Sequence, residues 1–504
     1  MSLTIPPCAL DLGGFLPPWL EKLLPLLILL GAIAVVLRRL PVIDVGHSAA
    51  FRARRVRNWL PLGLLYAFMY MGRYNLTVSK NAFGEMVAED GGALMSNQDF
   101  GWIFAAGTWV YGFAFLLNGP LTDRIGGKRA MLIGAGGSAL VNGLMALLTA
   151  GVVSSEGLAG ALAGNFPLAI GVLYMLNMYF QSFGAVAIVK VNAPWFHVRE
   201  RGVFGAIFGI LISLGVYFAY DWGQAILAHE ALGLVWVYAM PALLLAAFWL
   251  LSFLAVKDTP GQAGHVDFAT GDASDGDDGP RKPALEVFAM MLANPVILTI
   301  AGIEFCSGFL RQAIMQWFQT FAKQTDGVLA LKQGFVYQNW GLLLCCAGIL
   351  GGVFAGSISD HLFKSRRGPV SAVLYGILTA GALLLCFAYA TPAVGWLVIF
   401  LSMAVIGVHG MLSGTASMDF GGAKNAGIAV GLIDGFVYLG TGVMSLTYGL
   451  LLPKEQFDAQ GRLTGPVLEP GNWLAWPLAM VPVAALGLAL ALRVWHATPR
   501  RAGH

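Results

Sequence analysis

The sequence predicts an all-α polytopic membrane protein, two six-helix bundles plus one extra N-terminal helix, on three observations. First, the 504-residue chain is 57% hydrophobic and only 11% charged, about half the charged share of a soluble domain. Second, its apolar residues gather into thirteen runs, most of them near the ~20 residues a helix needs to cross a ~30 Å hydrocarbon layer. Third, each half carries an arginine inside an apolar run, followed by the aspartate of a Gly-x-x-x-Asp turn. Arg73 precedes Gly119 and Asp123 by the same pattern in which Arg311 precedes Gly356 and Asp360, with arginine-to-aspartate spacings of fifty and forty-nine residues. Helices are required because an open sheet cannot satisfy its backbone in lipid. The 65 glycines suit close helix packing there.

The first run, about 20–37, ends in Arg38-Arg39 rather than a small-residue cleavage site, and no base precedes it in residues 1–19. It reads as an added helix with its N-terminus outside, not as a cleaved signal peptide. At ~1.5 Å per residue its uncharged stretch, 23–37, is about 22 Å long, so a helix lying on the membrane surface is the competing reading. With the basic segment behind it, this run makes up residues 1–57. Spans near 59–82, 101–121, 130–152, 167–189, 202–220 and 232–256 form a first bundle, 58–256. Spans near 287–320, 336–358, 370–391, 394–416, 427–451 and 473–495 form a second bundle and tail, 287–504. Between them, 257–286 is a long polar linker whose 270–279 core has the composition of a solvated, flexible segment.

Lysine and arginine bias sets the orientation. With the 38–57 segment in the cytoplasm and sides alternating from there, 22 of the 30 lysines and arginines fall inside and five outside, while Arg73, Lys80 and Arg311 lie within spans. The chain is therefore expected to be an integral membrane protein with a cytoplasmic C-terminus, in the cell membrane, which for a bacterial source is the inner membrane. Because the bases sort by side, the net charge of +3 does not point to nucleic acid.

Arg73 lies near mid-bilayer, where an arginine costs about 2.5–3.5 kcal/mol on insertion scales and needs a polar partner or a wet cavity. Tyr66, Tyr70, Arg73, Thr77 and Lys80 fall on one helical stripe, which is predicted to face a cavity. A guanidinium grips phosphate or carboxylate through two parallel hydrogen bonds. Arg73 and Arg311, with Lys80, Tyr70 and Tyr66, are thus the candidate substrate-binding residues for a small anionic, phosphorylated solute. The competing reading of the arginines is a structural ion pair, and Lys80 reads equally well as snorkelling to water. Glu304 lies two turns before Arg311, about 10 Å along the axis, so its expected partner is on another helix. Asp434, the other buried acid, reads as a proton carrier or a charge partner of an arginine, or as a structural contact. His409, beside Gly407 and Gly410, reads as a packing residue. At Lys190, snorkelling competes with attraction of a ligand.

The two turns read as gating loops: Gly119, Asp123 and Arg124 in the first, Asp360, Arg366 and Arg367 in the second. Glycine would let helices approach, aspartate would bond a neighbouring helix N-terminus, and the bases would anchor the cytoplasmic surface. No zinc-protease helix, phosphate loop or nucleophile elbow is present, so neither an enzyme nor direct ATP drive is expected. The five cysteines lack metal-site spacing and four lie in apolar spans, as packing residues do. No metal or cofactor is expected.

These residues make the chain resemble the major facilitator superfamily over about 59–495, with Gly119–Arg129 close to that superfamily's loop between helices two and three. The copy at Gly356–Arg367 is looser, with His361 where arginine is usual. Within the superfamily the chain most resembles the organophosphate:phosphate antiporters of glycerol-3-phosphate and hexose phosphates. The resemblance rests on Tyr70-Met-Gly-Arg73-Tyr-Asn75, on Tyr179-Phe-Gln181-Ser-Phe-Gly184 through Trp195 to Glu200-Arg201-Gly202, and on Leu310-Arg311 with Trp317. Ser359-Asp360 with Arg366-Arg367-Gly368, and Tyr438-Leu439-Gly440, complete it. It implies the major facilitator fold and an organic phosphate exchanged for inorganic phosphate by alternating access. It also implies that Arg73 and Arg311 bind the phosphate, in a protein expected to act as a monomer. The chain departs from the pattern at Leu211 or Ile212, where glycerol-phosphate transporters carry a helix-five histidine. It departs again at Gln316, in place of a helix-seven acid, and in the extra first helix. The alternatives are a proton-coupled symporter of an organic anion such as a sugar acid, with Asp434 carrying the proton, and a non-transporting sugar-phosphate sensor.

Overall fold

The computed structural model describes residues 46–88, 91–154, 165–197, 200–268, 283–363, 367–412 and 426–496, with isolated positions 27, 31 and 270. The expected extra helix at 20–37 and nearly all of the linker core lie outside the described residues. Within them, twelve long helices follow the order of the twelve later spans: α1 Ala49–Gly84, α2 Asn97–Ile125, α3 Gly127–Val153, α4 Phe166–Trp195, α5 Arg201–Tyr217, α6 Gly233–Ala255, α7 Pro295–Gln324, α8 Trp340–Leu362, α9 Arg367–Ala388, α10 Val394–Met411, α11 Ala426–Leu451 and α12 Ala475–Arg493. A π turn at Phe218–Trp222 and a short helix Gly223–Ala228 prolong α5. Among the described residues, nine helices are long and apolar enough to cross a membrane.

Local chemistry places the helix ends. Ser48 caps α1, its hydroxyl accepting the Phe51 N–H at 3.1 Å. The helix thus starts ten residues before the expected span, because Ala and Arg in 49–57 favour helix although they are not all apolar. Ser96 and Asp99 form a capping box at α2. Asn294, whose side-chain oxygen accepts the Val296 N–H at 3.0 Å, caps α7 with Pro295 in its first turn. That Asn-Pro step divides the expected 287–320 span, leaving Ala284–Leu292 as a separate short helix.

Helices α3 and α6 pack together in the first half as α9 and α12 do in the second, and between the halves α2 packs on α11 and α5 on α8. Helix α7 is central, with 78% of its apolar window buried against 22% for the peripheral α6. Leu117, Leu147 and Phe387, at 71%, 70% and 85% exposure, face outward as lipid-contacting side chains do. Glycines allow the tightest crossing. A Cβ on Gly440 of α11 would run into the Phe305 carbonyl of α7, and one on Gly308 of α7 into the Val437 carbonyl of α11.

Gly440→Ala should therefore lower the thermal midpoint in detergent, since overpacking typically costs about 1–3 kcal/mol. Gly119→Ala, where a Cβ meets nothing within 4 Å, should not. A normal midpoint for Gly440→Ala would contradict the close α7–α11 crossing.

Candidate functional site

A cavity lies between the two halves. One wall carries Tyr70, Arg73 and Tyr74 of α1 and Ile212 of α5. The other carries Arg311 of α7, His409 of α10 and Tyr438 of α11. Arg73, Arg311 and Tyr70 are thus brought together as the sequence leads one to expect.

Arg73 is held on three sides. One terminal nitrogen donates to the Tyr438 hydroxyl, the other to the Tyr111 hydroxyl and the Gln181 side-chain oxygen, all at 3.3 Å. The guanidinium also lies 4.6 Å from the ring centres of Tyr70 and Tyr111, within cation–π range. Beneath it a polar network joins α1, α3 and α4. Gln181 donates to the Met69 carbonyl and the Ser138 hydroxyl at 2.8 and 2.9 Å, and Asn177 donates to the Gly72 carbonyl at 2.8 Å. Asn142 donates to Asn177 at 3.0 Å and accepts from Asn75. Gly72 is needed beside Arg73, since a Cβ there would lie 2.9 Å from Asn142 Nδ2. Satisfied buried networks of this kind rigidify what they hold.

Arg311 is half-buried, and its Nε has no hydrogen-bond partner. Among the described residues neither arginine has a carboxylate within 4.0 Å. Tyr70 and Tyr438 stand in the electrostatic field of both. The expected helix partner of Glu304 is His409, whose Nδ1 lies 2.9 Å from Glu304 Oε2. His409 is therefore a hydrogen-bond partner of Glu304 and a cavity residue, not a packing residue.

Three expected site residues lie elsewhere. Tyr66 is buried, its ring edge-on to Tyr70 at 5.5 Å, outside the cavity wall. Lys80 neither reaches water nor lines the cavity. It is 3% exposed, with its ammonium 3.6 Å from the Trp317 ring centre and 4.3 Å from that of Phe100. Asp434 is half-buried on α11, one turn before Tyr438 and outside the cavity wall. Of the two candidates at the helix-five position, Ile212 lines the cavity. Gln316 instead donates to Gln312 at 3.0 Å, which donates to Tyr74 across the interface at 2.9 Å.

The family profile of the Major Facilitator Superfamily matches residues 62–445. The chain belongs to this superfamily. It is 24% identical over 483 residues to the glycerol-3-phosphate transporter of Bacillus subtilis (strain 168), covering 92% of this chain and 96% of the relative. It is 26% identical over 444 residues to a probable galactarate/D-glucarate transporter of Pseudomonas putida, covering 79% and 89%. The solved structure of a D-xylose–proton symporter superposes with a TM-score of 0.62 at 15% identity, covering 90% of this chain and 98% of that one. The chain is thus a major facilitator transporter and an integral membrane protein, not an enzyme, and its resemblance to the organophosphate carriers holds.

The two ends of this major facilitator interface differ. At the end bearing the Gly119–Arg129 loop, Asp123 bonds Lys190 of α4 at 2.5 Å. It does not cap a helix as expected: Asp258 takes that role, accepting the Lys128 N–H of α3 at 2.7 Å. Close approach falls at Gly127, where a Cβ would lie 2.8 Å from Val191, and not at Gly119. Arg124 is exposed. In the second loop, Arg366 and the side chains of Asp360 and Arg367 lie outside the described residues.

The opposite end is tied shut by carboxylates that cross between the bundles. Asp221 of the π turn accepts the Gly341 and Leu342 N–H groups at the start of α8, at 2.6 and 2.8 Å. Glu455, just past α11, accepts the Asn97 N–H at the start of α2 at 3.0 Å and the Gln324 amide at 3.0 Å. Glu85 pairs with Lys323 at 2.8 Å, and Lys80 with Trp317 plugs the gap between.

Combining Asp221→Asn with Glu455→Gln removes two charges from helix N-termini, each worth about 0.3–2 kcal/mol. Spin labels at positions 87 and 328, at this end of opposite bundles, should gain a longer-distance component. An unchanged distance distribution would show that these caps do not hold the end closed.

Proposed function

We propose that this major facilitator transporter exchanges an organic phosphate, of the glycerol-3-phosphate or sugar-phosphate type, for inorganic phosphate. The observation that carries the reading is the pair of arginines, Arg73 buried and Arg311 half-buried, one from each bundle, facing one cavity without a carboxylate within ion-pair distance among the described residues. Arg73 is clamped so that its charge stays in place, and Arg311 is held more loosely. An anion bound to both neutralises two cations that otherwise oppose closing of the bundles in a medium of low dielectric. An empty carrier keeps that repulsion, which favours exchange over unaccompanied return. The bundles then rock about the site, as in transporters built from repeats, with the Asp221 and Glu455 caps releasing one end as the other closes. The similarity to a glycerol-3-phosphate transporter supports the phosphate reading. The similarity to a galactarate/D-glucarate transporter supports a second one, proton-coupled uptake of a sugar acid, whose carboxylate an arginine grips equally well.

Proteoliposomes loaded with unlabelled phosphate should take up labelled phosphate, and Arg73→Ala or Arg311→Ala should reduce that exchange at least ~30-fold, as loss of a charged ligand worth about 2–5 kcal/mol implies. Arg73→Lys should not restore it, since an ammonium lacks the planar fork. Uptake that follows a pH gradient and ignores internal phosphate would favour the sugar-acid reading. Binding without any flux would favour a sensor. Wild-type exchange in both alanine variants would remove the arginines from the site.

A further inference from the structure

We propose that His409 is a third, proton-dependent ligand of the transported anion, poised by Glu304, so that anion and proton bind together. The inference rests on the reading that the cavity binds an anion, and it assigns how that site responds to pH. Glu304 is fully buried on α7, with Oε2 at 2.9 Å from His409 Nδ1 and Oε1 without a hydrogen-bond partner. A buried carboxylate with one contact strongly favours a proton on the facing nitrogen. Nδ1 is therefore the N–H that donates to Glu304, which leaves Nε2 as the nitrogen available to the cavity that the ring lines. In the neutral ring Nε2 offers only a lone pair, which repels an anionic oxygen. In the imidazolium it offers an N–H and makes a charge-assisted bond to the same oxygen.

The groups around His409 set the coupling. From α7 come Glu304, which favours the proton, and Arg311, which opposes it. From α1 come Arg73, also opposing, with the neutral hydroxyls of Tyr70 and Tyr74; α11 adds Tyr438, and α8 adds Leu344 and Gly348. Behind Glu304 are the Cys306 thiol and Tyr375 of α9, whose hydroxyl is committed to the Ile303 carbonyl at 2.6 Å. With the cavity empty, two guanidiniums resist a third positive charge. An anion on both arginines removes that resistance, and the ring takes up a proton. By linkage, lower pH must then tighten anion binding by the same factor. The chemical class that satisfies two arginines and an imidazolium together is a dianionic oxyanion, such as a phosphate monoester.

The test is the affinity of the purified full-length protein for inorganic phosphate between about pH 5.5 and 8, the window in which imidazole titrates, in wild type and in His409→Gln. Phosphate's own titration is common to both proteins and divides out of the affinity ratio. The ratio of wild-type to variant affinity should fall with pH, approaching tenfold per unit above the histidine's titration point, and Glu304→Gln should move that fall to lower pH. A ratio that stays constant, with wild-type binding intact, overturns the inference and leaves the anion site standing. Absence of phosphate binding by wild type at every pH overturns the anion reading itself. A second readout needs no variant: sulfate, a dianion throughout this window, should draw close to one proton per bound anion from a weakly buffered solution. Sulfate binding with no proton uptake overturns the inference.

Discussion

A guanidinium at the middle of a bilayer must meet a partner or open onto a polar cavity, and this chain sets two of them on one cavity. Much of the structure follows from that constraint. Arg73 requires a scaffold that fixes its direction, and the Asn75, Asn142, Asn177, Ser138 and Gln181 network supplies one from three helices of a single bundle. The scaffold in turn requires Gly72, because only a missing side chain lets Asn142 lie against α1. Arg311 has no such scaffold; its α7 is instead placed by the close crossing with α11. The asymmetry gives one rigid ligand and one adjustable ligand, which suits a site that must be remade as the bundles move.

The two halves match in architecture more than in residues. Acids near the ends of α5 and α11 each cap the first turn of a helix in the other half, α8 and α2 respectively, so the same device occurs in corresponding places. It is built differently each time. Asp221 acts from inside a π turn against Gly341, which has no side chain to obstruct it, whereas Glu455 acts from a loop and shares its second oxygen with Gln324. A helix N-terminus offers free N–H groups and a positive dipole end. An acid on the facing bundle therefore makes a contact that is strong when aligned and is lost over a few ångströms of rocking.

The twelve later spans were legible in the sequence because hydrophobic runs of bilayer length have few other readings. Arg73 and Arg311 were legible because a charge in such a run is costly without a function. Single polar residues were not. Ser138, Asn142 and Asn177 each look like tolerated exceptions in an apolar helix, and gain meaning only where α1, α3 and α4 meet. His409 reads as packing because its partner Glu304 is 105 positions away. The stripe through Tyr66, Arg73 and Lys80 was correct in direction, since all three face the protein interior. It could not show that the cavity ends below Lys80, where Trp317 of the other bundle closes on it. The Asn294-Pro295 break was written in the sequence as a helix cap, and apolar continuity across it masked the signal.

The central claim is that one anion sits between Arg73 and Arg311 and joins the bundles. Crystals of the protein soaked in selenate, a tetrahedral dianion that scatters anomalously, test it most directly. An anion shared by the two arginines gives an anomalous peak within hydrogen-bond distance, about 2.7–3.2 Å, of both guanidinium groups. Selenate bound at only one of the two arginines, or elsewhere in the protein, would contradict it.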